Sequence, residues 1–178
     1  MKPSINGKPL NEAQIKSYLH KLQLNDLDLL PTLATLTKLQ DTHLKFIPYD
    51  NFDCLNGRIT SLKRCDIFNK LIMHNRGGIC FELNCLYNWL LESIGYEVTS
   101  YAARYTDKLD VYQIRRHRVM CVNLNGKRYL TDVGVNSESP RMPLEMTDGL
   151  IQSDGISQYK LSKDDFFGWL LWQKEKGK

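Results

Sequence analysis

The feature that most constrains this chain is a cysteine at the point where a glycine-containing loop becomes a helix. Gly77 and Gly78 disfavour a helix, and Gly95 supplies a stop. Between them, apolar residues repeat at the spacing of one helical face: Leu83, Leu86, Tyr87, Leu90, Leu91 and Ile94. Cys80 is therefore predicted in or just before the first turn, where free N–H groups and the helix dipole favour a thiolate. Position alone leaves two interpretations open, a working nucleophile or a small buried core cysteine.

Two helices are predicted near the start of the chain. Asn11, with a glutamine three residues later, forms a capping-box pattern for a first helix that runs to about Gln23. A second helix begins after Pro31 and is predicted to end at about His43. Pro48 disfavours helical conformation in the residues just before it, so the helix is not expected to continue to that point.

A third helix is predicted between a turn and the glycine pair. Ser61 is its expected N-cap, and the apolar repeat ends before Gly77-Gly78. With the helix after Cys80, the first half of the chain is predicted to be a four-helix unit. His20, His43 and His74 fall on these helices or at their ends and are expected to be solvated.

Beyond Gly95 the pattern changes to short runs that favour strands. Val98 to Tyr105 is a predicted strand. Arg116 to Leu124 and Lys127 to Val133 flank Asn125-Gly126, the dipeptide most typical of a type I′ hairpin turn. Helices followed by antiparallel strands indicate an α+β protein.

The hairpin predicts where a histidine and an aspartate meet. With a two-residue turn, Val119 faces Asp132 and His117 faces Gly134, so His117 and Asp132 are diagonal neighbours on one face, roughly 7–8 Å apart at Cα. An aspartate beside a histidine fixes its tautomer, and the pair can activate a cysteine thiol. The alternative is an ordinary exposed pair on a surface hairpin.

Composition excludes several classes of protein. The 178 residues are 42% hydrophobic and 25% charged, as in ordinary globular proteins, and the net charge of +4 comes without a basic block typical of nucleic-acid binding. The five cysteines have no paired spacing typical of zinc or of a disulfide scaffold, so no metal is expected. No signal peptide or apolar span is evident, which favours the cytoplasm.

Three ordered motifs resemble the arylamine N-acetyltransferase family. They are Arg-Gly-Gly-Ile-Cys-Phe-Glu-Leu-Asn from Arg76, Pro-Tyr-Asp-Asn-Phe from Pro48, and Tyr-Leu-Thr-Asp-Val-Gly from Tyr129. The resemblance implies a catalytic triad of Cys80, His117 and Asp132. It also implies a ping-pong reaction, in which acetyl-CoA acylates the cysteine and a small-molecule arylamine or hydrazine then takes the acetyl group. The implied fold is a helical bundle, an antiparallel β-barrel-like domain with a cysteine-protease-like core, and a third α/β lid domain.

The resemblance also implies roles for residues outside the triad. The acceptor pocket maps onto Tyr49, Tyr105 and Val135, and contacts to acetyl-CoA map onto Asn136 and Ser137. A buried charge pair is implied between Arg76 and Asp50. Glu82 and Asn84 are expected to secure the loop before the helix.

The expected organisation is a helical domain over residues 1–95 that carries the nucleophile and a β domain over 96–178 that carries His117 and Asp132. The lid domain is expected to be absent, since the chain ends about where that domain would start. The apolar cluster Phe166 to Trp172 then either mediates self-association or forms a final strand or helix. Two alternatives remain: a cysteine hydrolase or transglutaminase-like enzyme, and a truncated non-catalytic or partner-dependent homologue.

Overall fold

The computed structural model describes residues 10–105, 113–135 and 138–175. Its helices are α1 Glu12–Lys21, α2 Leu33–Phe46, α3 Phe52–Leu55, α4 Arg64–Phe68, a π-helical turn Asn69–Met73, and α5 Cys80–Ser93. Its strands are β1 Glu97–Ala103, β2 His117–Leu124, β3 Lys127–Thr131, β4 Leu144–Glu145, β5 Ile151–Ser153, β6 Ser157–Asp164 and β7 Gly168–Glu175. The order of helices first and strands afterwards agrees with the predicted α+β class.

The first two helices are close to the prediction. Asn11 caps α1 and accepts a hydrogen bond from the Gln14 backbone N–H at 2.9 Å, which completes the predicted capping box. The prediction for α2 was too short, because the helix continues to Phe46. Pro48 restricts only the residue directly before it, and Ile47 is extended at φ −124° and ψ 97°.

The segment between α2 and α5 departs from the predicted single helix. The Asp50 carboxylate accepts the Phe52 N–H at 2.8 Å and begins the short helix α3, which the sequence analysis missed. Ser61 is not an N-cap, since α4 begins after Lys63 and has no side-chain cap. The helix then widens into the π-helical turn, where His74 N–H reaches the Asn69 carbonyl at 2.8 Å.

The strands form two antiparallel sheets, so the barrel-like expectation was wrong. One sheet has the order β1-β2-β3-β4 and the other β5-β6-β7. The ladder of the first sheet ends in β4, which pairs over only two residues, and no pairing between β1 and β7 closes the described strands into a barrel. The apolar stretch Phe166 to Trp172 forms the last turn and most of β7. Its conformation is therefore that of a final strand, which was one of the two predicted alternatives.

The predicted hairpin register is confirmed. Leu124 pairs with Lys127 and Met120 with Thr131, and every pair between them keeps the same offset. Asn125 and Gly126 have positive φ values of 51° and 76°, as a type I′ turn requires.

Helix α5 lies at the centre of the larger hydrophobic core. The predicted single apolar face understates its burial, since every residue from Glu82 to Leu91 is buried. The expectation that His43 is solvated was also wrong. Its side chain is fully buried, and Nδ1 lies 2.5 Å from the Tyr18 hydroxyl. Burial lowers the pKa of His43 to about 3, so this histidine is neutral at physiological pH.

Within the described part of the chain, no helix has both the length and the apolar character needed to cross a membrane.

Candidate active site

The site is built from the start of α5 and the open end of the β2–β3 hairpin. Cys80 is the first residue of α5, directly after the extended residue Ile79. The Ile79 side chain has no hydrogen-bonding group, so it leaves the N–H groups of the first helical turn without a side-chain cap. The half-buried sulfur lies 3.9 Å from the backbone carbonyl of Arg116, the residue before β2. The thiol therefore points from the helix terminus towards the start of that strand.

His117 and Asp132 meet as the hairpin geometry predicts. His117 opens β2, Asp132 follows β3, and His117 Nε2 lies 2.6 Å from Asp132 Oδ2. Both side chains are buried. The other ring nitrogen, Nδ1, is also buried and has no formed hydrogen bond. It is the nitrogen left to exchange a proton with Cys80.

The electrostatics of His117 favour the imidazolium form. Burial by itself lowers the pKa of His117, but the hydrogen bond to Asp132 and the electrostatic influence of Asp132 and Cys80 outweigh it and raise the pKa to about 9. Burial has the largest single effect on this pKa, but the combined effect of Asp132 and Cys80 is larger and has the opposite sign. At neutral pH the arrangement is suited to an imidazolium beside Cys80.

Asn84 holds the Asp132 carboxylate from the other side, a role the sequence analysis missed when it assigned Asn84 to the loop. Its amide Nδ2 donates to Asp132 Oδ1 at 2.9 Å, and its Oδ1 accepts the Val133 N–H at 3.0 Å. The Gly134 N–H also donates to Asp132 Oδ1 at 2.8 Å. A spacing of four residues from Cys80 puts Asn84 on the same face of α5, and that spacing was the available signal.

Gly134 allows the helix and the hairpin to approach closely. A Cβ placed there would lie 2.6 Å from Asn84 Nδ2 and 2.8 Å from Cys80 Cα. Although the hairpin register places Gly134 opposite His117, the atoms nearest to a Cβ at this position belong to α5. Any side chain at this position would push α5 away from Asp132.

A cavity of about 390 Å³ lies in front of Cys80. Its lining includes the three residues assigned to the acceptor pocket, Tyr49, Tyr105 and Val135. The Tyr105 ring lies 5.6 Å from the His117 ring, centroid to centroid. Asn136 and Ser137, assigned to acetyl-CoA contacts, lie outside the described residues.

The predicted Arg76–Asp50 pair forms, but it is neither buried nor exclusive. The Arg76 side chain is 41% exposed and lies 3.6 Å from Asp50 and 3.2 Å from Asp53, both measured from Nη2. The Asp50 side chain is short, and its carboxylate also accepts the Phe52 N–H at the start of α3. Arg76 therefore lies closer to the carboxylate of Asp53 than to that of Asp50.

Glu82 is linked to the same network through a lysine. Lys70 Nζ lies 3.0 Å from the Asp53 carboxylate and 2.9 Å from the Glu82 carboxylate. Glu82 also accepts the Ile79 N–H at 2.9 Å, so it holds the loop directly before Cys80. These ion pairs connect α3, the π-helical turn and the start of α5.

The chain is similar to proteins of one enzyme family. A family model described as N-acetyltransferase matches residues 32–178. The arylamine N-acetyltransferase of Mycobacterium tuberculosis is 34% identical over 147 residues, which is 79% of this chain and 52% of that protein. The relative from Salmonella typhimurium is 29% identical over 158 residues, which is 88% of this chain and 56% of that protein. The chain thus spans about half the length of the curated relatives it matches.

Solved structures of the same family have the same fold as the described residues. The Salmonella typhimurium arylamine N-acetyltransferase superposes with a TM-score of 0.87 at 27% identity and covers 95% of this chain and 61% of its own. The Mycobacterium marinum enzyme, solved in complex with CoA, superposes with a TM-score of 0.81 at 30% identity and covers 89% of this chain and 60% of its own.

Proposed function

This chain belongs to the arylamine N-acetyltransferase family, and on that premise we propose that it transfers an acetyl group from acetyl-CoA to an arylamine or hydrazine through a thioester on Cys80. The observation that carries the proposal is a thiol at a helix N-terminus beside a buried histidine, whose far nitrogen lies 2.6 Å from Asp132. That arrangement is the one nucleophilic cysteine catalysis requires.

In the first half-reaction the Cys80 thiolate attacks the carbonyl carbon of acetyl-CoA. The new C–S bond forms as the bond to the CoA sulfur breaks, and the His117 imidazolium gives its proton to the departing CoA thiolate. A pKa of His117 raised to about 9 keeps that proton available at neutral pH. The unpaired N–H groups of the first turn of α5 stabilise the oxyanion that forms on the carbonyl oxygen.

In the second half-reaction an amine attacks the thioester. The amine nitrogen forms the new C–N bond, its proton passes to neutral His117, and the C–S bond to Cys80 breaks. Asp132 holds the ring so that Nδ1 stays directed at the reacting atoms, and Asn84 holds Asp132 in turn. Buried hydrogen bonds of this kind keep the geometry ready before substrate arrives.

The cavity before Cys80 supplies the substrate contacts. The rings of Tyr49 and Tyr105 and the side chain of Val135 suit a flat aromatic amine. Arg116 lines the same cavity, and a guanidinium suits an anionic donor such as CoA. Asn136 and Ser137 are proposed to contact that donor. A relative from Mycobacterium marinum was solved with CoA.

The experiment is intact-protein mass spectrometry after brief exposure to acetyl-CoA, followed by peptide mapping. We expect one added acetyl group on Cys80, its loss in Cys80→Ala and His117→Ala, and its removal when an arylamine is added. Cys65→Ala is the matched control, because Cys65 is an exposed thiol that does not line the cavity before Cys80. A folded wild-type protein that gains no acetyl group, or gains it equally without Cys80, contradicts the proposal.

A further inference from the structure

A second, larger cavity lies between the two sheets. Its volume is about 530 Å³, within the range of small-molecule sites. Strands β1 to β3 form one wall and strands β6 and β7 form the other. The proposed transfer of an acetyl group does not use this volume.

The middle of the cavity is apolar. Val119 and Leu130 line it from the first sheet, and Leu161, Trp169 and Leu171 line it from the second.

The two ends of the cavity are polar. Arg104, Arg115 and Glu138 line it near the site. At the other end Arg128 donates to the Tyr101 hydroxyl at 3.2 Å, and both residues line the cavity.

The large cavity adjoins the cavity before Cys80. Tyr105, Val135 and Glu138 line both, while His117 and Asp132 line the large cavity and Cys80 lines the small one. The two cavities therefore meet at Tyr105 and Val135, next to the position of a group bonded to the Cys80 sulfur with its carbonyl beside His117.

We infer that the thioester on Cys80 accepts medium-chain acyl groups, whose methylene chain lies in the cavity between the sheets. This inference rests on the proposed function, because it concerns the acyl group that the same cysteine carries. The ligand in this cavity is assigned to the acyl group, and not to the amine, because the acyl group is bonded to Cys80. The cleft beside Tyr49 is then left for the amine. Along β2 the distance from His117 to Cys121 is about 13 Å, which is long enough for an extended acyl chain of about six to eight carbons.

The test measures acylation of Cys80 by p-nitrophenyl acetate, hexanoate and octanoate, donors that need no CoA contacts. In each case the thiolate forms a C–S bond, the ester C–O bond breaks, and p-nitrophenolate leaves and is followed by absorbance. A buried methylene favours the longer chain by about fourfold. We expect hexanoate to acylate Cys80 at least tenfold faster than acetate, after division by the same ratio for free N-acetylcysteine.

Variants that fill the cavity from opposite walls separate this effect from nonspecific adsorption. In Val119→Phe and Leu171→Trp the hexanoate-to-acetate ratio is expected to fall to about that of N-acetylcysteine. Leu171 is 42% exposed, so a larger side chain there fills space without overpacking the core. Ile156→Trp is the matched control, because Ile156 is exposed and does not line the cavity, and it should keep the wild-type ratio.

Three results would overturn this inference or the proposed function. Equal corrected rates for all three esters, or a hexanoate preference that survives both filling variants, overturns the cavity assignment and leaves acetyl transfer intact. Absence of acylation by every ester, acetate included, overturns the proposed function. In that case, binding in the cavity between the sheets is tested separately by titrating the Cys80→Ala protein with octanamide. The NMR signals of Val119 and Leu161 must shift if the inference is right, and unchanged signals overturn it.

Discussion

The core around α5 and the sheet β5–β7 differ in how firmly they hold the residues they carry. The α5 core buries a continuous set of large side chains from α1, α2, α4, α5, β2 and β3. The smaller cluster under β5–β7 has three fully buried members, Leu144, Tyr159 and Leu161, and it borders the cavity between the sheets. All members of the proposed triad are attached to the first region. This difference indicates that the α5 core holds the residues of the proposed triad in place. The second sheet forms a less tightly packed wall of the cavity between the sheets.

The largest expected effect separates two carboxylates, one in each region. Asp132→Asn should lower acetyl transfer on the order of 10³–10⁴-fold, because the histidine loses the partner that sets its tautomer. Asp154→Asn is the control in the second region. Asp154 accepts the N–H groups of Ile156 and Ser157 at 2.9 Å, so its change should lower stability and leave transfer near the wild-type rate. Similar losses of transfer in both variants would break the comparison.

The next effect compares leucine truncations by urea denaturation. Leu90→Ala should cost roughly 2–5 kcal/mol of unfolding free energy, because Leu90 is fully buried in a close-packed core. Leu161→Ala should cost less, because Leu161 borders an existing cavity and its truncation mainly enlarges that space. A larger cost at Leu161 than at Leu90 would show that the second sheet, and not the α5 core, is the tightly packed region.

The burial of His43 in the α5 core predicts that the stability of the protein depends on pH. The pKa of buried His43 is lowered to about 3, whereas an unfolded histidine titrates near 6.5, so the unfolded chain binds the extra proton between these values. Stability should therefore fall as pH drops below about 6.5. His43→Gln should remove up to one proton from the pH dependence measured by urea unfolding between pH 4 and 6.5. An unchanged slope would mean that His43 is not held neutral in the folded protein.

The smallest effect concerns self-association, which the sequence pattern of Phe166 to Trp172 suggests. Phe166 is 76% exposed and Trp172 is 45% exposed, so neither contributes much to the folded core. Phe166→Ser should change stability by no more than about 0.5 kcal/mol and reduce association seen by sedimentation velocity. The matched change Ile59→Ser, at another exposed apolar residue, should leave association as in the wild type. Equal association in all three proteins would remove any role for this stretch.

Local sequence rules predicted the parts of the site that depend on short-range geometry. The Asn125-Gly126 turn set the hairpin register and so the meeting of His117 with Asp132. The glycine pair and the apolar period set the start of α5 at Cys80. Each of these follows from backbone preferences within about ten residues, which a sequence displays directly.

Features that depend on contacts between distant elements were not predictable in the same way. The burial of His43 arises from Tyr18 and Tyr87 on other helices, and no local pattern signals it. The support of Asp132 by Asn84 joins residues 48 positions apart. Closure of a barrel likewise depends on which strand edges pair. The alternation of apolar and polar residues along one strand does not predict its partner strand.

The central claim is that α5 and the hairpin hold Cys80 ready as a nucleophile, and iodoacetamide alkylation at pH 7, followed thiol by thiol by peptide mapping, tests it most directly. Cys65 is the internal control, because it is an exposed thiol that does not line the cavity before Cys80. We predict that Cys80, although less exposed, reacts faster than Cys65, and that His117→Gln removes this advantage. A Cys80 that reacts more slowly than Cys65 in the wild-type protein would contradict the account.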